Sequence, residues 1–307
     1  MTNPAIELRL PVTSPCCAHA LLAYLRVRAL PGVEAVDGST YRRAIELSPQ
    51  VRGVLAVDLG PVESGHVIAS STVECSPTQL AEIVTRLIDA DAPVAQIEGV
   101  LKADPDLSRL IEASPGLRIP GTIDPFELTV RAILGQQITV MGARTLAARI
   151  ASAYGRPLGS TGQITTTFPA PSRLAGAALE RLGIPRMRAD AIRSVARLAL
   201  EGESVDTAAR WLESPSAESL LDVKGIGPWT ASYVALRGFR DRDALPTSDL
   251  GLRQVLGAPS APMSARALAK RASAWRPWRG YAAVHLWTTL LQDASSASAA
   301  VVNPARV

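Results

Sequence analysis

The chain has 307 residues, of which 47% are hydrophobic, and it carries a formal net charge of +4. No uninterrupted apolar run approaches the roughly 18 residues of a membrane helix, and the first residues lack a charged-then-apolar leader, so a cytoplasmic protein without a membrane partner is expected. Cys16, Cys17 and Cys75 are too few for a disulfide framework or a four-thiolate cluster, and the mild basic excess, with a pI near 9.2, fits a polyanionic partner.

The first 92 residues alternate between apolar and polar positions with a period of two, which is typical of half-buried strands. Strands are predicted at residues 6–10, 41–47, 51–59 and 66–73, and helices at residues 18–30 and 79–90. An α+β sheet domain over residues 1–92 is therefore predicted.

From residue 93 onward the apolar spacing changes to the helical period, and proline and glycine separate the segments. Helices are predicted at residues 126–134, 140–154, 188–200, 216–221, 228–236, 250–256, 265–274 and 281–291. This pattern predicts an all-α domain over residues 93–293. Residues 294–307 are rich in alanine and serine without an amphipathic stripe, so a disordered tail without a function is predicted.

The segment 221–238, LDVKGIGPWTASYVALRG, has the pattern of two helices joined by a tight glycine turn. Gly225 and Gly227 permit backbone angles that other residues avoid, and they let a phosphate approach the turn amides. Pro228 suits the first position of the second helix, whose exposed amides favour an anion, and Gly238 is placed to end that helix. A phosphate clamp is the functional interpretation. Plain structural punctuation, or a DNA-binding module without catalysis, is the alternative.

A lone carboxylate, Asp249, follows the hairpin in the sequence PTSD, just before an amphipathic segment. An acid close to a phosphate clamp suggests chemistry on DNA. Its place before a helix is equally typical of an N-cap, whose carboxylate accepts bonds from the first helical amides.

Four blocks lie in a fixed order along the chain. They are PGLRIPG at 115–121 continuing into FELTVRAILGQQ at 126–137, the hairpin, the Asp249 segment, and WRPWRGYAAVHLW at 275–287. Through them, residues 115–291 resemble the helix-hairpin-helix DNA glycosylase superfamily, specifically its 3-methyladenine DNA glycosylase II (AlkA) type. The resemblance implies a TBP-like supporting domain before an all-α helix-hairpin-helix domain. It also implies a base excision repair hydrolase that acts on damaged double-stranded DNA as a monomer, without a cofactor or an obligatory protein partner.

The resemblance further implies how such a protein holds DNA. The predicted DNA-binding residues at the clamp are Lys224, Gly225, Ile226, Gly227 and Thr230. The backbone carbonyls predicted to hold a monovalent cation are those of Leu221, Val223 and Ile226. Gln137 falls at the position whose side chain wedges into the duplex. Several relatives have leucine there, and glutamine would instead hydrogen-bond the orphaned base; the alternative is a helix-terminal amide without a function.

Four aromatic residues are predicted to line a pocket for a flipped base. Trp229, Tyr233 and Trp287 would stack on the base, and Tyr24 would reach the pocket from the first helix. Methylation at N3 or N7 makes a purine cationic and aromatic faces attract cations, so 3-methyladenine and 7-methylguanine are the predicted substrates. Simple core packing is the alternative for each ring. The entry to the first helix, residues 14–19, departs from the family's aromatic-rich pattern.

Asp249 is the predicted catalytic residue, because cleavage of an N-glycosidic bond builds positive charge on the sugar, which a carboxylate stabilises while it can also activate water. Bifunctional relatives attack the sugar with a lysine in the second hairpin helix. Here that position is Trp229, so a monofunctional enzyme without lyase activity is predicted. A glycosylase for an oxidised purine, uracil or a mismatched base, and a non-catalytic DNA-binding module, are the alternatives.

Overall fold

The structure, a computed structural model, describes residues 4–159, 162–201 and 217–296. Its N-terminal part is one antiparallel sheet of five strands in the order β1-β5-β4-β3-β2. The strands are β1 (Ile6–Pro11), β2 (Glu34–Asp37), β3 (Thr40–Ser48), β4 (Val51–Asp58) and β5 (His66–Ser71). Four of them lie where the alternating pattern predicts them.

The strand β2 was not predicted from the sequence. It has four residues and pairs with β3 so that Asp37 lies opposite Thr40. The turn between them contains Gly38 at φ 57°. The dipeptide Asp37-Gly38 is a hairpin signal that was available in the sequence, but a strand this short shows too little alternation to be recognised by period alone.

Two helices, α1 (Ala18–Arg28) and α2 (Pro77–Ile88), pack on the sheet. Leu21 of α1, Leu87 of α2 and Val57 of β4 are all buried in the same hydrophobic core. The sheet thus hides one apolar face beneath two helices, as its alternating pattern requires.

The rest of the described chain is helical. Its α-helices are α3 (Val94–Leu101), α4 (Pro105–Ala113), α5 (Pro125–Gly135), α6 (Val140–Tyr154), α7 (Pro171–Leu174), α8 (Arg186–Leu200), α9 (Pro228–Gly238), α10 (Leu250–Val255), α11 (Ala265–Arg271) and α12 (Arg279–Ser296). The short α7 and the pair α3 and α4 were not predicted. Asp104 caps α4, accepting from the Asp106 amide at 3.1 Å, and Pro105 takes its first position, so a start signal was present in the sequence.

Three predicted helices differ in detail. Residues 217–222 form a 3₁₀ helix, because the chain tightens before the glycine turn, and residue 216 lies outside the described residues. The helix predicted at 265–274 ends as α11 and continues as a 3₁₀ turn, Ala272–Trp275, since Pro277 forces Arg276 into an extended conformation. The last helix, α12, runs to Ser296, so residues 294–296 of the predicted disordered tail are helical. Residues 297–307 of that tail lie outside the described residues.

Two helical cores meet at α9, and α5, which packs against α9, belongs to the first of them. Ten of the eleven residues of α5 are buried. In α9, Val234 belongs to the core shared with α6 and α8, whereas Ala235 and Leu236 belong to the core shared with α10 and α12. The second hairpin helix is therefore fixed from both sides. No helix in the described ranges is both long and apolar enough to cross a membrane.

Four buried or nearly buried charges join the sheet to α5. Arg43 Nη2 donates to Glu127 at 2.6 Å, and Arg131 Nη1 donates to Glu127 at 2.8 Å and to Glu34 at 2.9 Å. Burial alone would raise the pKa of Glu34, but the guanidinium groups of Arg131 and Arg43 outweigh burial and lower it to about 2. Arg43 and Glu127 also line a cavity of about 650 Å³ between β3, α2 and the start of α5, which contains no predicted site residue.

A second polar bridge centres on Asp89, just after α2. This buried residue has φ 52° and accepts from the Tyr281 hydroxyl at 2.6 Å and from Arg242 Nη2 at 2.8 Å. Tyr281 lies in the buried part of α12, which carries Trp287 further along. The N-terminal unit thus helps to hold the helix that presents Trp287.

Candidate active site

The hairpin is present where the sequence predicted it. A 3₁₀ helix, Ala217–Asp222, leads through the glycine turn into α9. Gly225 has φ 98°, and a Cβ there would lie 3.3 Å from Ala191 Cβ on α8, so glycine is favoured by both backbone and packing. The prediction that Gly227 takes backbone angles that other residues avoid is wrong, because its φ of −100° and ψ of 176° suit any residue. A Cβ at Gly227 would meet nothing within 4 Å, so glycine here leaves the surface open.

The start of α9 offers backbone amides rather than side chains. The first amide bonded within the helix is that of Ala231, which donates to the Gly227 carbonyl at 3.1 Å. The amides of Trp229 and Thr230 precede it and have no intrahelical acceptor. The Thr230 hydroxyl is buried and accepts from Gln136 Nε2 at 3.2 Å. The helix start therefore suits an anion through its amides and its dipole.

Gln136 and Gln137 form the turn between α5 and α6. Gln136 Nε2 also donates to the Gly225 carbonyl at 2.9 Å, and the Gln136 carbonyl accepts from Arg188. Gln137 is exposed and has a left-handed φ of 56°. The predicted wedge residue is thus presented at the surface directly after a residue bonded to the hairpin. That contact of Gln136 was not predicted from the sequence.

The hairpin turn also contains the carbonyls predicted to hold a monovalent cation. The Val223 carbonyl accepts from the Ile226 amide at 3.0 Å, which leaves it a second lone pair. Leu221 is 47% exposed and Lys224 is exposed, so this turn faces solvent. Neutral carbonyl oxygens are suitable ligands for an alkali-metal ion. The donor set fits the ion, and the cation site stays a prediction.

Asp249 is fully buried at the N-cap of α10. Its Oδ1 accepts from the Leu252 amide at 2.8 Å, and its Oδ2 accepts from Trp229 Nε1 at 2.6 Å. Burial raises the pKa of Asp249 to about 6, while the N–H groups of Leu252 and Trp229 limit the rise. Capping uses only one carboxylate oxygen, so Asp249 both caps the helix and presents a buried, mostly ionised oxygen to the indole of Trp229.

Trp229→Phe is expected to raise the pKa of Asp249 further, by about 1. The substitution removes the indole N–H that donates to Oδ2, so the ionised carboxyl loses a stabilising bond. The measurement is an NMR titration of ¹³C-labelled aspartate carboxyls. Trp278→Phe, whose ring packs edge-on against Tyr281, is the matched control and should leave the pKa of Asp249 unchanged. An unchanged pKa in Trp229→Phe would contradict the assigned bond.

The four aromatic residues predicted for the pocket form one cluster. Trp229 and Tyr233 are stacked, with ring centroids 5.1 Å apart and planes 12° apart. Trp287 meets Tyr233 edge-on at 6.0 Å. The hydroxyls of Tyr24 and Tyr233 are hydrogen-bonded at 3.0 Å. All four side chains are only partly buried. The structure brings them together next to Asp249, and their contact with a base stays a prediction.

Two arginines that were not predicted lie against the tyrosine rings. The guanidinium carbon of Arg28 lies 3.8 Å from the Tyr24 centroid, and that of Arg237 lies 4.9 Å from Tyr24 and 5.2 Å from Tyr233. Burial alone would raise the pKa of Tyr233, but Arg237 and Arg28 lower it. Each arginine follows its tyrosine by four residues, a helical spacing that could have revealed the pairs. Because arginines already lie against both tyrosine rings, we expect a cationic base to be attracted mainly by the indole rings of Trp229 and Trp287.

A family model for the AlkA N-terminal domain matches residues 7–124. The match covers the sheet unit from Glu7 onward and runs beyond residue 92 to the start of α5. The domain boundary at residue 92 stays a prediction.

Two relatives match most of the chain. One is the "Probable bifunctional transcriptional activator/DNA repair enzyme AlkA" of Mycobacterium tuberculosis, 39% identical over 287 residues, which are 93% of this chain and 57% of that protein. The chain thus spans little more than half the length of this relative. The other is "DNA-3-methyladenine glycosylase 2" of Escherichia coli, 37% identical over 273 residues, which are 88% of this chain and 92% of that protein.

Solved structures of low sequence identity share the fold. A 3-methyladenine DNA-glycosylase from Archaeoglobus fulgidus superposes with a TM-score of 0.76 at 21% identity, covering 91% of this chain and 97% of that one. An 8-oxoguanine glycosylase/lyase from Clostridium acetobutylicum, solved with double-stranded DNA, gives a TM-score of 0.66 at 17% identity, covering 85% and 88% of the two chains. The prediction of an α+β sheet domain followed by an all-α helix-hairpin-helix domain is confirmed.

Proposed function

The chain belongs to the AlkA family of DNA-3-methyladenine glycosylases, and from that premise we propose that it removes alkylated purines from duplex DNA by hydrolysis. The observation that carries the proposal is Asp249, a fully buried carboxylate bonded to the indole of Trp229 within the aromatic cluster. A binding module has no need of such a buried anion, whose burial costs free energy.

The chemistry begins with access to a bond hidden inside the duplex. Extrusion of a nucleotide costs a few kcal/mol of stacking and pairing. Amides at the glycine turn and at the start of α9 would hold the backbone, and exposed Gln137 would occupy the vacated space. The flipped base would then lie against Trp229 and Trp287, whose faces attract a cationic ring.

Bond cleavage follows from the place of Asp249. As the base departs, positive charge develops on the sugar, and a fixed carboxylate in a water-poor site stabilises that charge strongly. The same oxygen can orient or deprotonate the attacking water. Both roles need the ionised form, which the N–H groups of Trp229 and Leu252 favour.

We also propose that the enzyme is monofunctional. The helix α9 contains no lysine, and Trp229 stands at the position where bifunctional relatives carry one. Lys224 precedes the glycine turn, outside α9, and is exposed. Without an amine beside the sugar, water is the nucleophile and the strand stays intact. Damaged double-stranded DNA is the proposed partner, a monomer the proposed form and the cytoplasm the proposed location.

One observation favours a second lesion class. Nη1 of Arg28 is buried and has no hydrogen-bond partner among the described residues. A donor of this kind, beside Tyr24, matches a carbonyl oxygen on a base, as in an oxidised purine or uracil. These lesions therefore belong in the same assay.

The deciding experiment measures free bases released from duplex DNA by the purified chain. Release of 3-methyladenine or 7-methylguanine, with strand breaks only after alkali, is the expected result. Breaks without alkali, or a borohydride-trapped protein–DNA adduct, would contradict the monofunctional mechanism. Release of only an oxidised purine or uracil would favour the second lesion class, and no release of any base would favour the binding module.

Base release is expected to fall at acid pH. Burial raises the pKa of Asp249 to about 6, and the reactive form is the carboxylate, so the rate should be maximal above pH 7. Well below the pKa, each pH unit should lower the single-turnover rate about tenfold. The measurement is that rate between pH 4.5 and 8, corrected for spontaneous depurination without protein. A flat profile across this range would contradict the role of the ionised acid.

A further inference from the structure

Gln136 joins two parts of the surface that the proposed function uses separately. Its side-chain amide donates to the Gly225 carbonyl at 2.9 Å and to Thr230 Oγ1 at 3.2 Å. One acceptor belongs to the glycine turn and the other to the first turn of α9. A planar amide that donates to both is fixed in orientation and follows any movement of the hairpin.

The backbone of Gln136 is held as well. Its carbonyl accepts from Arg188 at the start of α8, the helix that also packs under Gly225 through Ala191. The side chain of Gln136 is thus bonded to the hairpin, and its main chain is bonded to α8, which packs beneath the glycine turn.

The anchoring of Gln136 affects the next residue, Gln137. Its φ of 56° is a conformation that non-glycine residues keep only when their surroundings impose it. The Gln137 side chain is exposed, so it gives the turn little support of its own, whereas its neighbour Gln136 is anchored. The direction of Gln137 is therefore set from the hairpin.

We propose that Gln136 is a positioning residue that couples the phosphate-binding turn to the wedge: a strand held at Gly225 fixes Gln136, which directs Gln137 into the duplex. The inference rests on the proposed function and deepens it. Because all of these contacts are made within the protein, an anchored Gln136 would lower the cost of ordering the wedge.

The test is a double-mutant cycle of Gln136→Ala and Gln137→Ala, with Gln96→Ala on the exposed face of α3 as the matched control. Two quantities are measured for each protein. The first is single-turnover base release from an alkylated lesion in duplex and in single-stranded DNA. The second is the fluorescence of 2-aminopurine beside the lesion, which reports unstacking whether or not a base is released.

Gln136→Ala should slow release from duplex DNA about tenfold and lower the unstacking signal, since small misplacements of positioned groups have effects of this size or larger. Release from single-stranded DNA, which needs no wedge, and affinity for undamaged duplex should change less than about threefold, with the thermal midpoint retained. In the Gln137→Ala background, Gln136→Ala should have almost no further effect, because coupled residues are not additive.

Additive effects, equal losses on duplex and single-stranded DNA, or a Gln136→Ala protein identical to wild type would each overturn the coupling. Failure of the proposed function has a different signature. Wild-type protein would then release no base, while the unstacking signal would still report whether Gln136 acts through Gln137.

Discussion

Asp249→Asn is expected to slow base release from alkylated duplex DNA by about 10³-fold while leaving DNA binding intact. The substitution keeps the size of the side chain but removes the charge that the developing sugar cation needs. Binding should survive because the hairpin amides, Gly225 and Gln137 are separate from the carboxyl. The measurements are single-turnover release and affinity for a duplex that carries the lesion.

Folding of this variant should be close to that of wild type. An asparagine oxygen can accept only one of the two bonds now made from Leu252 and Trp229, which costs about 1–3 kcal/mol. Loss of a buried charge offsets part of that cost, because burial already raises the pKa of Asp249. Asp37→Asn, at a side chain 84% exposed, is the matched control for the change in charge. Undiminished base release by the Asp249→Asn variant would mean that Asp249 only caps α10.

Glu127→Gln is expected to destabilise the protein by about 3–5 kcal/mol. Among the described residues, the substitution leaves Glu34 as the one carboxylate that still forms ion pairs with Arg43 and Arg131. The side chain keeps its shape, yet its two charge-assisted bonds, at 2.6 and 2.8 Å, lose their anion. At about 2 °C per kcal/mol for a chain of this size, the thermal midpoint should fall by roughly 6–10 °C.

A matched control is Glu180→Gln. Glu180 also pairs with an arginine, Arg193, at 2.7 Å, but its side chain is 42% exposed. Solvent screens an exposed pair, so it contributes little to stability and the thermal midpoint should move little. Calorimetry of both variants at pH 7 checks the contrast. Equal shifts would mean that burial of the Glu127 cluster is unimportant to stability.

The fold was predictable from the sequence wherever the turn and cap residues and the spacing of apolar residues indicate the same element. The hairpin has both, since Gly225 needs its φ of 98° and Pro228 takes the first position of α9. Where an element is short, as in β2, or tightens before a turn or a proline, as at residues 217–222 and 272–275, the period carries too little information. The prediction that Gly227 needs special backbone angles was wrong. A glycine is required only where φ is positive or where a Cβ would collide with its surroundings, and at Gly227 φ is −100° and nothing lies within 4 Å of a Cβ.

The candidate site was predictable residue by residue but not as an arrangement. Motifs singled out Asp249, Trp229 and Tyr233, yet the bond between Trp229 and Asp249 joins residues 20 positions apart. It depends on how α9 and α10 are placed in the core that they share. The contacts of Gln136 with the hairpin, and of Arg237 with Tyr24, cross still longer separations. A single sequence does not show which residues far apart along the chain lie close together in the fold.

The hydrogen bond between Tyr24 and Tyr233 joins residues separated by 209 positions, one on α1 and the other on α9. The N-terminal segment is therefore not an interchangeable module. Recombination between relatives near residue 92 would exchange the segment that carries Tyr24, one of the four residues proposed to line the pocket, while leaving Asp249 untouched. In such chimaeras, the contribution of Tyr24 to lesion preference would be inherited with the N-terminal parent, whereas Trp229, Trp287 and Asp249 would come with the C-terminal one.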